Sequence, residues 1–114
     1  MAVTKNTPVS NVATTDYEPH LENGNKFGDI HWLRTESGGA GMLLAGFWSH
    51  GPATLPYEFM GDETIHVLEG EVIVEIDGGD TMTLREGDVA SFCKGQTSTW
   101  RIVRPFKKFF VVSG

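Results

Sequence analysis

The sequence predicts an all-β domain whose short strands close into a barrel or jelly roll. At 114 residues the chain is long enough for one hydrophobic core and too short for two. Its 14 glycines and 5 prolines divide it into short apolar runs separated by turns. We expect about eight or nine strands, because closing such a set on itself removes the exposed sheet edges.

The stretch at residues 61–79 carries the clearest strand pattern. Apolar side chains alternate there with acidic ones, Val72, Val74 and Ile76 against Glu71, Glu75 and Asp77. This period of two is that of a strand with one buried face. We expect strands at residues 65–68 and 72–76, joined tightly at Gly70, and a third strand at 81–85 after a turn.

One acidic residue lies on a face that is otherwise apolar. Glu63 precedes the first of these strands, on the face that Ile65 and Val67 continue. A carboxylate among apolar side chains is costly unless it is paired or protonated. We therefore expect Glu63 to point into the barrel and to have a role there.

The remaining segments divide into a polar lead-in and further strands. Residues 1–26 are rich in turn formers and have no sustained periodicity, so we expect an arm or irregular lead-in there. The barrel domain is expected at residues 27–114. Its other predicted strands are residues 29–34, 42–49, 54–59, 89–92, 98–104 and 107–112, the last two separated at Pro105.

Charge and cysteine content exclude several classes of function. The chain carries 9 basic and 15 acidic residues, a net charge of −6 with neutral histidines. Such a surface repels phosphate, so we expect no nucleic acid and no membrane as a partner. Cys93 is the single cysteine, which rules out an internal disulfide and a thiolate zinc cluster. Without a long apolar stretch or an apolar signal region, a cytoplasmic location is expected.

Two sets of residues have the spacing of known motifs. The first set is Gly51, Tyr57, Phe59, Glu63 and Gly70, and the second is Gly87, Cys93, Gly95, Ser98 and Ile102. With this spacing the chain resembles a cupin over residues 40–112. The resemblance implies a single β-barrel of the jelly-roll (RmlC-like cupin) type, with glycines of both motifs at turns.

The family resemblance also identifies the positions of the metal ligands in other cupins, and this sequence differs from the family at those positions. Metal-binding cupins use two histidines and a glutamate of the first motif and one histidine of the second. This chain has Tyr57, Phe59, Glu63 and Ser98 at those places. A divalent transition metal needs about three or four converging protein ligands. We therefore expect no metal and no other cofactor.

A narrower resemblance rests on short local matches. They are Gly46-Phe47-Trp48, Glu63, residues 67–71, Thr99-Trp100 and residues 104–109. In these segments the chain is similar to the (S)-ureidoglycine aminohydrolase-like cupin domain group, which includes single-domain proteins of unassigned function. The aminohydrolase itself is longer, has two cupin halves and binds manganese, so we do not carry its activity over.

We predict a small-molecule-binding cupin of unassigned specificity that works without metal. The candidate ligand-binding residues are Trp48, Tyr57, Phe59, Glu63, Ser98 and Trp100, and the catalytic candidates are Glu63 and Tyr57. One alternative is a small isomerase, hydrolase or lyase, acting on a ureide-like or carboxylate metabolite with Glu63 as acid or base. The other alternative is a structural or regulatory dimer whose barrel is plugged by side chains.

Several residues are expected on the outside of the barrel. They are His66, the scattered His20, His31 and His50, and Lys107 with Lys108, which we expect to form a solvated rim. Leu33, Ile73, Phe110 and Val112 are expected on an outward apolar face. Two-fold pairing of that face, with residues 1–26 lying across the partner, predicts a homodimer.

Overall fold

The computed structural model describes residues 7–114, and the first six residues of the predicted arm lie outside the described part. The strands are β1 (Glu18–Glu22), β2 (Asn25–Arg34), β3 (Leu43–His50), β4 (Ala53–Glu58), β5 (Asp62–Ile76), β6 (Thr81–Arg85), β7 (Val89–Phe92) and β8 (Thr97–Ser113). The part of the chain that the structure describes contains no helix with the length and apolar composition of a membrane span. The prediction of an all-β jelly roll is confirmed.

Two long antiparallel strands, β5 and β8, take part in both sheets of the jelly roll. The second half of β8 pairs with β3, which continues through β2 to the edge strand β1. The first half of β8 pairs with β4. On the other side, β7 pairs with the first half of β5, and β6 pairs with the second half. The two sheets therefore face each other and enclose the core between their inner faces.

The pairing of the two long strands is irregular where Gly70 meets Pro105. We expected a break at each of these positions, and that prediction is wrong, because β5 and β8 run through them. Glu69 pairs with Lys107 and Glu71 with Arg104, so one residue of β5 faces two of β8, as in a β-bulge. Gly70 has a φ of 85°, and a Cβ there would overlap the carbonyl oxygen of Pro105. The glycine thus permits a close approach of two backbones.

The inner faces follow the period of two that the sequence predicted. Val67, Val72 and Val74 are fully buried, while His66 is exposed, as predicted. The predicted outward apolar face is wrong in part, because Phe110 and Val112 are buried in the core. These even-numbered positions of β8 share the inner face with Phe106, Ile102 and Trp100. The homodimer stays a prediction.

The N-terminal segment contains a strand that the sequence did not predict. β1 pairs with β2 through a two-residue turn at Asn23 and Gly24, whose φ angles of 53° and 80° suit a type I′ turn. Preceding it, Ser10 Oγ lies 2.8 Å from His31 Nε2, and His31 Nδ1 lies 2.7 Å from the carbonyl oxygen of Asp16. The polar lead-in therefore contacts β2 through His31.

We predict that Gly70→Ala lowers the free energy of unfolding by about 2–4 kcal/mol, since it adds both backbone strain and a steric overlap. Gly78→Ala is the matched control, because Gly78 has a φ of 71° but nothing within 4 Å of an added Cβ. Urea denaturation of both variants measures the difference. Equal losses in the two variants would show that the approach of Pro105 to Gly70 is unimportant.

Candidate functional site

A cavity of about 550 Å³ opens at one end of the barrel, beside the β1–β2 hairpin. Most of its wall is aromatic or aliphatic. Phe27, Trp32, Trp48, Tyr57 and Phe110 supply the rings. The polar side chains divide into an exposed group at the mouth and a buried group in the interior of the barrel. This combination of an apolar wall with a few convergent polar groups is typical of small-molecule sites.

The buried polar group is an ion pair with a phenol attached. Glu63 is 1% exposed and Lys108 is 3% exposed. Lys108 Nζ donates a hydrogen bond to Glu63 Oε2 at 2.7 Å, and the Tyr57 hydroxyl donates to Glu63 Oε1 at 2.5 Å. Each carboxylate oxygen therefore has a donor, which is the arrangement that makes a buried charge tolerable.

Strand geometry brings these three side chains together. Glu63 lies at the start of β5 and Lys108 in the second half of β8, two strands that pair directly. Tyr57 is near the end of β4, which pairs with the other half of β8. All three occupy inward positions of their strands, so the alternation of side chains points them into the same space.

Aromatic rings surround the Lys108 ammonium. Its Nζ lies 4.6 Å from the ring centroid of Trp100, and 5.1 Å from those of Trp48 and Tyr57. The negative faces of such rings attract a cation, most strongly where water is excluded. The rings and the Glu63 carboxylate together compensate the loss of hydration that burial imposes on the ammonium.

Tyr57 is held as a neutral phenol. Burial raises the pKa of Tyr57 above its usual value, and the negative charge of Glu63 and the hydrogen bond to Glu63 raise it further. The tyrosine therefore acts as a hydrogen-bond donor to Glu63 and not as a base.

The predicted site residues fall into two layers. Trp48, Tyr57 and Glu63 line the cavity. Phe59, Ser98 and Trp100 lie behind this wall and support it. Ser98 Oγ donates to the carbonyl oxygen of Tyr57 at 2.8 Å and accepts from Trp100 Nε1 at 3.1 Å. Phe59 stacks on Phe92 with ring centroids 4.6 Å apart.

Sequence reasoning missed Lys108. The prediction of a solvated rim at Lys107 and Lys108 is wrong for Lys108, which faces the core. The sequence did indicate the inward position of Lys108, because Phe106, Lys108 and Phe110 occupy every second position and so share one face of a strand. Two adjacent lysines on one strand must point to opposite faces, so only one of them lies on the outer face.

The mouth of the cavity was also missed. Its polar side chains include the half-buried His20 and the exposed Glu22 and Glu58, and His20 Nε2 lies 3.2 Å from Glu22 Oε2. His20 and Glu22 belong to β1, a strand that the sequence did not predict, whereas Glu58 ends β4. Without β1 there was no reason to place two of these residues at the site.

The four positions that hold metal in other cupins do not fit a metal in this chain. Phe59 has no ligand atom, and Ser98 Oγ is engaged by Tyr57 and Trp100. Glu63 already pairs with an ammonium, whose charge repels a cation at the same carboxylate. Within residues 7–114, no group of three or more His, Cys, Asp or Glu side chains is placed to hold a metal ion.

Comparison with known proteins places the fold and then the family. The chain matches the family model described as the EutQ-like cupin domain over residues 37–110. A protein described as ethanolamine utilization protein Q from Salmonella typhimurium LT2 is 30% identical, with a TM-score of 0.64 over 75% of this chain and 68% of that one. A comparison with curated proteins finds no match.

Two further structures support the same fold. A DUF861 family protein from Thermotoga maritima is 26% identical, with a TM-score of 0.56 over 58% of this chain and 75% of that one. The EutQ protein of Clostridium difficile is 19% identical, with a TM-score of 0.63 over 74% of this chain and 60% of that one, and it shows the fold alone. The jelly roll is thus a cupin. More particularly, the chain belongs to the family of EutQ-like cupin domains.

A double-mutant cycle tests whether the buried pair acts as a unit. Glu63→Gln and Lys108→Met each leave one buried charge without its partner, so each is expected to lower the free energy of unfolding by about 3–5 kcal/mol. The double variant has no buried charge and is expected to be more stable than either single variant. Urea denaturation gives the three values. Losses that simply add in the double variant would contradict the pairing.

Proposed function

We propose that this protein binds a small molecule in the cavity beside Lys108 and Glu63, and that it does so without a metal ion. The observation that carries the proposal is a buried ion pair that faces a cavity of about 550 Å³. Fold alone does not decide function, since many unrelated sites occur on one fold. The proposal therefore rests on the chemistry of the site.

The ion pair is a better indication of function than of stability. Burying two charges costs desolvation, and replacement of such a pair by packed apolar side chains is often neutral or stabilising. Lys108 and Glu63 are instead surrounded by aromatic rings, and both residues line the cavity. A polar pair at this place is useful when a ligand fills that space and uses the charge.

The cavity also bears on the two alternatives. A plugged barrel would leave no such volume, so the open cavity favours binding or catalysis over a purely structural role. Both oxygens of Glu63 accept hydrogen bonds from protein donors. A catalytic Glu63 would have to take a proton from a substrate with the lone pairs that these two donors leave free. Binding needs no proton transfer at Glu63 and is the function that the geometry supports better.

Metal independence gives a direct prediction. Protein purified without added metal should contain far less than one manganese, iron, nickel or zinc ion per chain, because the Lys108 ammonium takes the place of the cation at Glu63. Elemental analysis by mass spectrometry measures the content, and a chelator should leave the melting temperature unchanged. Stoichiometric metal in the purified protein would overturn this part of the proposal.

The binding function is tested by thermal-shift screening against a metabolite panel that includes ureides, ketones, amides and carboxylates. We expect compounds that raise the melting temperature of the wild type, because a ligand that binds only the folded state stabilises it. Leu44→Trp should abolish the shift, since Leu44 lines the cavity.

Val89→Trp is the matched control, because Val89 is 70% exposed and lies away from the cavity wall. It should retain the shift of the wild type. A panel without any hit, or hits that Leu44→Trp leaves unchanged, would contradict binding in this cavity.

A further inference from the structure

We propose that the ligand of this cavity is an uncharged carbonyl compound, whose oxygen accepts a hydrogen bond from Lys108 Nζ and whose apolar or aromatic body lies against the ring wall. This inference rests on the proposed binding function and adds the chemical class of the ligand. It follows from three features of the site: the donors that remain free, the balance of charge, and the composition of wall and mouth.

The first feature is the hydrogen-bonding capacity left in the buried cluster. A lysine ammonium has three N–H donors. Among residues 7–114, the Glu63 carboxylate is the hydrogen-bond acceptor of Lys108 Nζ. The Tyr57 hydroxyl is already used as a donor to the same carboxylate. The cluster therefore offers donors to the cavity through Lys108, and a complementary ligand must bring an acceptor.

The second feature is charge. The positive charge of Lys108 is balanced by Glu63 at 2.7 Å, so the buried cluster has no net charge with which to offset an anion. A ligand carboxylate at Nζ would also lie close to the Glu63 carboxylate, and like charges repel strongly where water is excluded. A neutral carbonyl oxygen accepts the same hydrogen bond without that repulsion, and it loses less hydration on entering the cavity.

The third feature is the wall and the mouth. The rings of Phe27, Trp48 and Phe110 surround the space in front of Lys108 and suit an apolar or planar body. At the mouth, Glu22 and Glu58 are exposed carboxylates. Their charge further disfavours anionic ligands during entry. The mouth therefore disfavours anionic ligands, as the buried pair does, and the wall favours an apolar or planar body.

The test compares three probes of nearly equal size: benzamide, benzoate and benzylamine. Each is titrated into the full-length protein and followed by amide ¹H–¹⁵N spectra. We expect benzamide to bind at the cavity about tenfold or more tighter than benzoate, because the benzoate charge is repelled by the Glu63 carboxylate where water is excluded. Benzylamine has no acceptor oxygen and should bind more weakly than benzamide.

Variants then identify the anchor. The double variant Glu63→Gln/Lys108→Met removes the ammonium without leaving a buried charge, and it should lose the preference for benzamide. Val89→Trp is the matched control, because Val89 is 70% exposed and lies outside the cavity wall, and it should retain that preference. Independently of any variant, intermolecular nuclear Overhauser contacts should link the benzamide ring to the side chains of Lys108 and Trp48.

Each outcome decides the matter. Tighter binding of benzoate, a preference that survives in the double variant, or a preference that Val89→Trp also abolishes would overturn the inference. If none of the probes binds while metabolites from the panel bind in a manner that Leu44→Trp abolishes, the inference fails and the binding function stands. If neither probes nor metabolites bind, both are overturned.

Discussion

The contact between Lys108 Nζ and Glu63 Oε2 joins the two strands, β5 and β8, on which both sheets are built. Neither charge is tolerable in the core without the other, because each would lose its hydration uncompensated. The registry of β5 against β8 is therefore tied to the chemistry of the site. A shift by one residue would turn Lys108 outward and leave Glu63 among the apolar side chains that line the barrel.

The continuity of the two long strands determines where this pair lies. The two halves of β5 and of β8 meet at Gly70 and Pro105, and each half pairs with different neighbouring strands. The pair lies at the end where the β1–β2 hairpin leaves an opening. Other cupins hold a metal ion at this place in the fold, whereas this chain has the ion pair of Lys108 and Glu63. The pair has no net charge. It offers the hydrogen-bond donors of the Lys108 ammonium, where a metal would offer open coordination positions.

Much of the fold was predictable because β-strand alternation is a local signal. The inward direction of Glu63 and the turn glycines follow from period and spacing. The continuity of β5 could not be predicted from the sequence, because a glycine permits either a turn or a bulge. Only the approach of Pro105 decides between them. Lys108 was wrongly predicted to face solvent, because its charge was given more weight than its inward position in the alternation of the strand. Strand β1 lacks a clear pattern, being an edge strand that pairs on one side.

The most direct measurement is a pair of crystal structures, one grown with a chelator and one with excess manganese, with anomalous difference maps for both. We predict that Lys108 Nζ stays within hydrogen-bonding distance of Glu63 in both crystals and that no anomalous peak lies at Glu63. A manganese ion coordinated by Glu63, with the Lys108 side chain turned away, would contradict it.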